Sequence, residues 1–170
     1  MTATTLPAAI PRLRPGSVTT VETVLGERFE VTTELGRIDL DVVHGWLSTD
    51  AFWAIGRSRE TVELAARSSL NFGVVDEYGA LRGYARVVTD QATFAWVCDV
   101  YVDPAARGKG LGLLLARTIV EQLRPLGLQR VVLSTLDAHG MYEKVGFIAM
   151  PEPQRWMLLA GPDASGTGLD

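Results

Sequence analysis

The segment Cys98–Gly112, with the sequence CDVYVDPAARGKGLG, decides the fold of this 170-residue chain. It begins with residues that favour β-structure and ends its strand at an Asp-Pro turn. A glycine-rich loop, Arg107–Gly112, then leads into the apolar run Leu113–Leu115 of a predicted helix. Glycines let a ligand approach the backbone closely, and the first turn of a helix offers free N–H groups at its positive end. Because Arg107 and Lys109 add positive charge, the segment predicts a site for a phosphate-bearing ligand.

The spacing of the glycines excludes two common phosphate-binding motifs, since the loop fits neither GxxxxGK[ST] nor GxGxxG. Its pattern, Arg107-x-x-Gly110-x-Gly112, resembles motif A of the GNAT superfamily of N-acetyltransferases. A second segment, Met141–Phe147 with the sequence MYEKVGF, is similar to motif B of the same family. The two segments follow one another in the family's order, and the chain is therefore identified as resembling this superfamily.

The resemblance covers residues 28–160 and implies one acetyltransferase domain. A flexible arm is expected over residues 1–27, which are rich in Thr, Ala and Pro and lack sustained periodicity. A flexible tail is expected over residues 161–170, which are polar and rich in glycine. The implied fold is α/β of the α+β type, a GNAT-like mixed and mostly antiparallel sheet of six to seven strands with helices on both faces. One parallel pair, joined by the helix after the glycine loop, flanks the cofactor slot in the family.

Hydrophobic periodicity and turn residues place the individual elements. Strands are predicted over Arg28–Leu35, Leu70–Asp76, Leu81–Asp90, Ala95–Asp103 and Gln129–Thr135, with a closing antiparallel pair over Phe147–Met150 and Arg155–Leu159. Helices are predicted over Leu40–Leu47, Arg59–Ser68, Gly110–Arg124 and Ala138–Val145. Asp39, Ser58 and Asp137 are the expected caps of the first, second and fourth helices. A strand over Val18–Leu25 is an alternative to a fully flexible arm.

The resemblance implies acetyl-CoA as the acyl donor and no metal. The residues implied to hold acetyl-CoA are Val100, Tyr101, Val102, Arg107, Gly108, Lys109, Gly110, Leu111, Gly112 and Tyr142. In the family the pantetheine arm pairs with the strand backbone like an added strand, and the loop holds the pyrophosphate. The backbone N–H of Val102 would then polarise the acetyl carbonyl.

Three residues are candidates for the proton transfers that amide formation from a thioester requires. Tyr142 matches the family tyrosine that protonates the departing thiolate, and the alternative is a tyrosine with a packing role. Asp99 is a carboxylate within an apolar strand, so it is either the general base or the buried partner of an arginine such as Arg86. His139 lies one helical turn before Tyr142 and is the other candidate base.

The amino-acid composition limits the classes of partner that the protein is expected to bind. The net charge of -4 argues against a general nucleic-acid binder, and the single Cys98 excludes an intrachain disulfide or a multi-cysteine metal site. No apolar run is long enough to span a bilayer, and prolines interrupt the N-terminus where a signal peptide would be apolar, so we expect a soluble cytoplasmic protein without membrane partners. Trp46, Phe52 and Trp53 fall near the segment that covers the acceptor in the family.

The resemblance implies an N-acetyltransferase that moves an acetyl group from acetyl-CoA to a primary amine of a small molecule or peptide. The expected route is direct attack in a ternary complex. The alternative is a non-catalytic module that senses acetyl-CoA, and the presence of Tyr142 favours the enzyme. The sequence leaves open whether the protein forms a homodimer.

Overall fold

A computed structural model describes residues 18–22 and 26–159, with side chains described for 26–159. Within this part of the chain, six strands form one sheet in sequential order. They are β1 (Val18–Glu22), β2 (Arg28–Thr32), β3 (Leu70–Asp76), β4 (Leu81–Thr89), β5 (Phe94–Val102) and β6 (Arg130–Val132). All neighbours are antiparallel except β5 and β6, which are parallel. The prediction of a mixed, mostly antiparallel sheet is therefore confirmed.

Four α-helices occur in the described residues. They are α1 (Leu40–Thr49), α2 (Arg59–Arg67), α3 (Leu111–Leu123) and α4 (His139–Glu143). The carboxylate of Asp39 accepts a hydrogen bond from the N–H of Asp41 at 2.9 Å, and the Ser58 hydroxyl accepts one from the N–H of Thr61 at 3.2 Å. These contacts confirm both predicted caps. None of the helices in the described part is long and apolar enough to cross a membrane.

The cap predicted for α4 is wrong. The helix begins at His139, one residue later than expected, and its N-cap position is Ala138. The hydroxyl of Thr135 accepts a hydrogen bond from the N–H of Ala138 at 3.0 Å, and no side chain caps the first turn of α4. An N-cap side chain accepts from the N–H of the second or third helical residue, and because α4 begins at His139, Asp137 lies one position too early for this role.

Helices cover both faces of the sheet, and each face has its own apolar core. The core beneath α3 includes Phe72, Val74, Val87, Val97, Leu111, Leu115 and Ile119. The core beneath α1 and α2 includes Val43, Leu47, Val62, Val75, Tyr84 and Tyr101. Burying one such large side chain stabilises the fold by about 1.5–3 kcal/mol, so the two cores together fix the sheet between its helices.

The sheet begins earlier in the chain than expected. β1 lies within the predicted arm 1–27, yet it pairs with β2 from Val18 opposite Thr32 to Glu22 opposite Arg28. The first strand of the domain is therefore not the one at Arg28, and of the alternative strand over Val18–Leu25 the part Val18–Glu22 is confirmed. Residues 1–17, 23–25 and 160–170 lie outside the described residues, so the rest of the arm and the tail 161–170 stay predictions.

The predicted closing pair over Phe147–Met150 and Arg155–Leu159 is wrong for the structure described here, because neither segment forms a strand. A short 3-10 turn, Pro153–Arg155, interrupts the connection, and the side chains that follow it extend into solvent. Pro151 and Pro153 lack the N–H groups that a ladder needs and restrict the residues before them, which prevents a tight hairpin. The described sheet therefore ends at β6.

Candidate active site

β5 and β6 separate where the candidate site begins. Their parallel pairing runs from Phe94 opposite Arg130 to Trp96 opposite Val132 and stops there. β5 continues to Val102, so among the described residues no strand lies beside its 97–102 edge on the β6 side. β6 was predicted to reach Thr135, and its earlier end opens a slot between the strands. The backbone groups along this edge are available to pair with an extended ligand.

A β-bulge lies in the middle of this edge. Tyr84 of β4 lies opposite Tyr101 of β5, and Arg86 lies opposite Cys98. Between these two pairs β4 advances by two residues and β5 by three. β5 therefore contains one extra residue, and its Asp99 has a φ of 52°, in the left-handed region. The bulge changes which face of the sheet the following side chains occupy, and it sends the ring of Tyr101 into the core beneath α1 and α2.

The carboxylate of Asp99 is only 5% exposed and is fully engaged. It accepts hydrogen bonds from Arg86 Nε at 2.5 Å, from Arg57 at 2.7 Å and from Trp53 Nε1 at 3.2 Å. Burial alone would raise the pKa of Asp99, but the charges and hydrogen bonds of Arg86 and Arg57 outweigh it and hold that pKa below its ordinary value. Of the two interpretations that the sequence allows, this geometry favours the buried partner of arginines over the general base.

The glycine-rich loop has a backbone that only glycine adopts readily. Gly108 has a φ of 79° and Gly110 a φ of 72°, both in the left-handed region, and Gly110 is the N-cap of α3. No atom lies within 4 Å of the position that a Cβ on Gly110 would occupy. The loop therefore leaves open space in front of the first turn of a 13-residue helix, where N–H groups without intrahelical partners can receive an anion.

Gly112 brings the two motif-bearing segments together. A Cβ at this position would lie 2.9 Å from Met141 Sδ and 3.9 Å from Val102 Cγ2. The first turn of α3, helix α4 and the end of β5 therefore meet at Gly112. The structure therefore places the MYEKVGF segment directly against the first turn of α3.

Lys109, one of the two cations of the loop, is already paired with a carboxylate. Its ammonium group lies 2.7 and 2.6 Å from the two carboxylate oxygens of Glu27, and 6.0 Å from the centre of the Phe29 ring. This pair ties the loop to the start of β2. No local pattern in the sequence predicts the contact, because the two residues are 82 positions apart in the chain and only the sheet brings them together.

Arg107, the other cation, also has a carboxylate partner. Its guanidinium donates to the carbonyl of Val102 at 3.2 Å and to Asp50 at 3.4 Å, and it lies 5.5 Å from the centre of the Tyr101 ring. The Tyr101 hydroxyl donates a hydrogen bond to the same carboxylate. Burial and this carboxylate raise the pKa of Tyr101 to about 12. The indole of Trp46 stacks on the phenol ring at a centroid distance of 5.3 Å, which completes a cluster at the C-terminal end of α1.

Tyr142 and His139 line the same cavity. It has a volume of about 870 Å³ and lies between β6, α4 and the chain that follows α4. Tyr142 is 7% exposed, its ring meets that of Phe147 edge to face at 5.7 Å, and burial raises the pKa of its phenol to about 12. The phenol therefore stays protonated at neutral pH, as a proton donor must. Among the described residues, no group of three or more His, Cys, Asp or Glu side chains is arranged to bind a metal.

The aromatic residues expected near the acceptor fall into two separate groups. Phe52 and Trp53 form an edge-to-face pair at 4.9 Å in the loop between α1 and α2, and they are 53% and 37% exposed. Trp46 lies apart from them, stacked on Tyr101. The hydrogen bond from Trp53 to Asp99 places the exposed pair beside the bulge of β5.

Comparison with known proteins shows the family to which the chain belongs. Residues 40–147 match the model of the acetyltransferase (GNAT) family, which is more than half of the chain. The class that the fold and this match define is that of acetyltransferases. The chain belongs to the acetyltransferase (GNAT) family.

Individual relatives support the assignment. A crystal structure from Xanthomonas campestris pv. campestris, assigned to the GNAT family, superposes with a TM-score of 0.74 at 36% identity and covers 79% of this chain and 94% of that one. An N-acetyltransferase designated ycf52 from Pyropia yezoensis is 28% identical over 64% of this chain, and the match spans 65% of that relative, slightly less than two thirds of its length. A Mycobacterium tuberculosis protein solved in complex with CoA shares the fold, with a TM-score of 0.55 at 22% identity over 67% of this chain and 70% of that one.

Proposed function

We propose that the protein is an acetyl-CoA-dependent N-acetyltransferase that acts on a primary amine of a small molecule or peptide. The observation that carries the proposal is the open edge of β5, which leads directly into the glycine loop and the first turn of α3. A ligand that fits this surface has an extended, amide-containing arm for the edge and a pyrophosphate for the helix. Acetyl-CoA has both parts and supplies the acetyl group as a reactive thioester.

The chain's own groups would bind and orient this donor. Backbone groups of Val100 and Val102 would pair with the arm, and the N–H of Val102 would donate to the acetyl carbonyl, a hydrogen bond that strengthens as negative charge develops on that oxygen. The pyrophosphate would accept from the N–H groups that begin α3. Because Arg107 and Lys109 already have carboxylate partners, we expect these N–H groups to supply more of the attraction than the two side chains.

Tyr142 is the proposed proton donor to the departing thiolate. A free thiol has a pKa of roughly 8.5, so its thiolate leaves more readily when an acid protonates it. The raised pKa keeps the phenol of Tyr142 in the acid form at every pH near neutrality. His139 lines the same cavity as Tyr142 and is the proposed acceptor of the amine's proton, which would reach it through water.

The acceptor is proposed to approach from the side of the α1–α2 loop. Phe52 and Trp53 expose aromatic surface there, and aromatic faces attract the apolar and cationic parts of amines. This placement puts the acceptor on the opposite side of the β5 bulge from α3.

A thiol-release assay with acetyl-CoA and a panel of amines, amino acids, polyamines and peptides tests the function. Calorimetry with acetyl-CoA alone measures binding in parallel. We expect binding, and thiol release above the rate of hydrolysis with at least one class of amine. Absence of binding would refute the proposal, whereas binding with no turnover on any amine would favour the sensor.

A further inference from the structure

Three features of Asp99 destabilise the folded state unless other contacts compensate for them. It is a non-glycine residue with a φ of 52°, it carries a carboxylate that is 5% exposed, and it is part of a bulge that interrupts the β4–β5 ladder. Left-handed backbone is unfavourable for residues with a Cβ, and a buried charge is tolerated only when it is paired. Such a combination persists only where surrounding contacts hold it in place.

The contacts that hold Asp99 come from two further parts of the fold, the α1–α2 loop and β4. One carboxylate oxygen accepts from Arg57 in the α1–α2 loop and from Arg86 in β4, while the other accepts from Trp53 Nε1. Arg86 also donates to the hydroxyl of Ser69, after α2, at 3.2 Å. The Arg57 and Arg86 side chains are 20% and 17% exposed, so the cluster is shielded from water and salt.

The bulge coincides with the start of the slot. Trp96 is the last residue of β5 that pairs with β6, Asp99 follows three residues later, and Val100 to Val102 form the edge that is proposed to hold the cofactor arm. A bulge bends its strand and increases the local twist. The path of this edge therefore depends on whatever fixes the backbone at Asp99.

We propose that Asp99, Arg57 and Arg86 form a positioning unit that fixes the bulge of β5 and so aligns the 100–102 edge with acetyl-CoA. The alignment of the cofactor rests on the proposed function, while the control of the bulge does not. Because Arg57 and Trp53 lie in the loop with the exposed aromatic pair, the unit also ties the acceptor side of the site to the cofactor side. Asp99 is then a positioning residue and not the general base.

Arg57→Gln tests the proposal without unpairing Asp99 completely, since Arg86 remains. Arg59→Gln is the matched control, because it removes the same charge two residues away, where the partners are Asp41 and Glu63 on the surface of α1 and α2. Amide hydrogen exchange over residues 97–102 reports on the bulge in the absence of any ligand. Calorimetry with acetyl-CoA reports on the alignment of the edge.

We expect Arg57→Gln to accelerate exchange over residues 97–102 about tenfold and to weaken acetyl-CoA binding about tenfold, while Arg59→Gln changes neither. Arg57→Lys should recover part of both effects, because it keeps the charge. Exchange that is unchanged in Arg57→Gln, or changed equally in Arg59→Gln, would overturn the proposal.

Asp99→Asn separates positioning from catalysis. The amide keeps the shape and can still accept from Trp53, so we expect faster exchange, weaker acetyl-CoA binding and a kcat that falls less than the affinity. Unchanged exchange and affinity with abolished turnover would identify Asp99 as the base and refute the proposal. If the wild-type protein fails to bind acetyl-CoA, the proposed function falls, and the exchange rates still decide whether this unit fixes the bulge.

Discussion

Met141 in α4 lies so close to Gly112 in the first turn of α3 that a Cβ on the glycine would sit 2.9 Å from the methionine sulfur. The contact joins the helix that presents the loop's N–H groups to the helix that carries Tyr142, the next residue after Met141. Cofactor binding and proton donation are therefore proposed to share one packing contact.

Gly112→Ala should disturb catalysis more than stability. The clash is with the side chain of Met141, which packs between α3 and α4, and we expect α4 to shift slightly away from α3 at a cost of about 1 kcal/mol. A shift of α4 carries Tyr142 with it, and we expect kcat to fall about tenfold, as measured by thiol release. Gly45→Ala in α1, where a Cβ meets nothing within 4 Å, is the control and should leave kcat unchanged. Equal kcat values in wild type and Gly112→Ala would show that the two helices are not coupled in this way.

Gly110→Ala should weaken acetyl-CoA binding at least tenfold, or by about 1.4 kcal/mol, because a methyl group would occupy the open space in front of α3. Its φ of 72° also makes alanine strained, by about 1–2 kcal/mol. Gly79→Ala supplies the control, since Gly79 has a φ of 80° and equally open surroundings in the β3–β4 turn. Both variants should unfold at similarly lowered temperatures, and only Gly110→Ala should lose affinity. A similar loss of affinity in both would mean that strain, and not the loop, is responsible.

Glu27→Gln should strengthen acetyl-CoA binding. It removes the carboxylate that holds Lys109 and leaves this cation available to the ligand's phosphates. Partly exposed ion pairs contribute up to about 1 kcal/mol, so we expect a gain of at most about fivefold by calorimetry, and a smaller gain at high salt. Glu30→Gln removes the same charge from β2, where the partner is Arg37, and should have no effect. Weaker binding in Glu27→Gln would mean that the pair with Glu27 keeps the loop in its binding conformation.

Local features of the fold were predictable from the sequence because their causes are local. Asp39 and Ser58 cap helices through contacts with residues two or three positions away, and the left-handed glycines of the loop follow from the loop itself. The partners of the loop's cations were not predictable. Asp50 and Glu27 lie far away in the chain, and only the assembled sheet brings them to Arg107 and Lys109.

The role of Asp99 shows the same limit within the site. A carboxylate in an apolar strand indicates either a catalyst or an ion pair. From the sequence alone, Arg86 is only one candidate for the partner of Asp99. The deciding contact is the second arginine, Arg57, from a loop 42 residues earlier. The prediction of the closing strands is wrong for a different reason. An apolar pattern is present in both segments, but Pro151 and Pro153 interrupt the connection between them.

Tyr142→Phe should reduce kcat by roughly 10²–10⁴, the usual contribution of a positioned general acid, with little change in acetyl-CoA affinity. The ring and its contact with Phe147 are kept, so only the acid is removed. The defect should grow as the pH rises toward the thiol pKa of about 8.5, because solvent then protonates the thiolate less effectively. Burial raises the pKa of the Tyr142 phenol from 10.0 to about 12, so ionisation of this group should not reduce the wild-type rate until the pH approaches 12.

Tyr78→Phe is the control for this comparison, because Tyr78 lies in the β3–β4 turn and is 87% exposed. It removes the same hydroxyl group from a surface position and should leave the rate unchanged at every pH. A fall in the wild-type rate near pH 10 that is absent from Tyr142→Phe would instead indicate that the phenol of Tyr142 titrates near its ordinary pKa. Full activity of Tyr142→Phe between pH 6 and 9 would leave Tyr142 a packing residue, and the proton donor would then have to be sought at His139, which lines the same cavity, or in solvent.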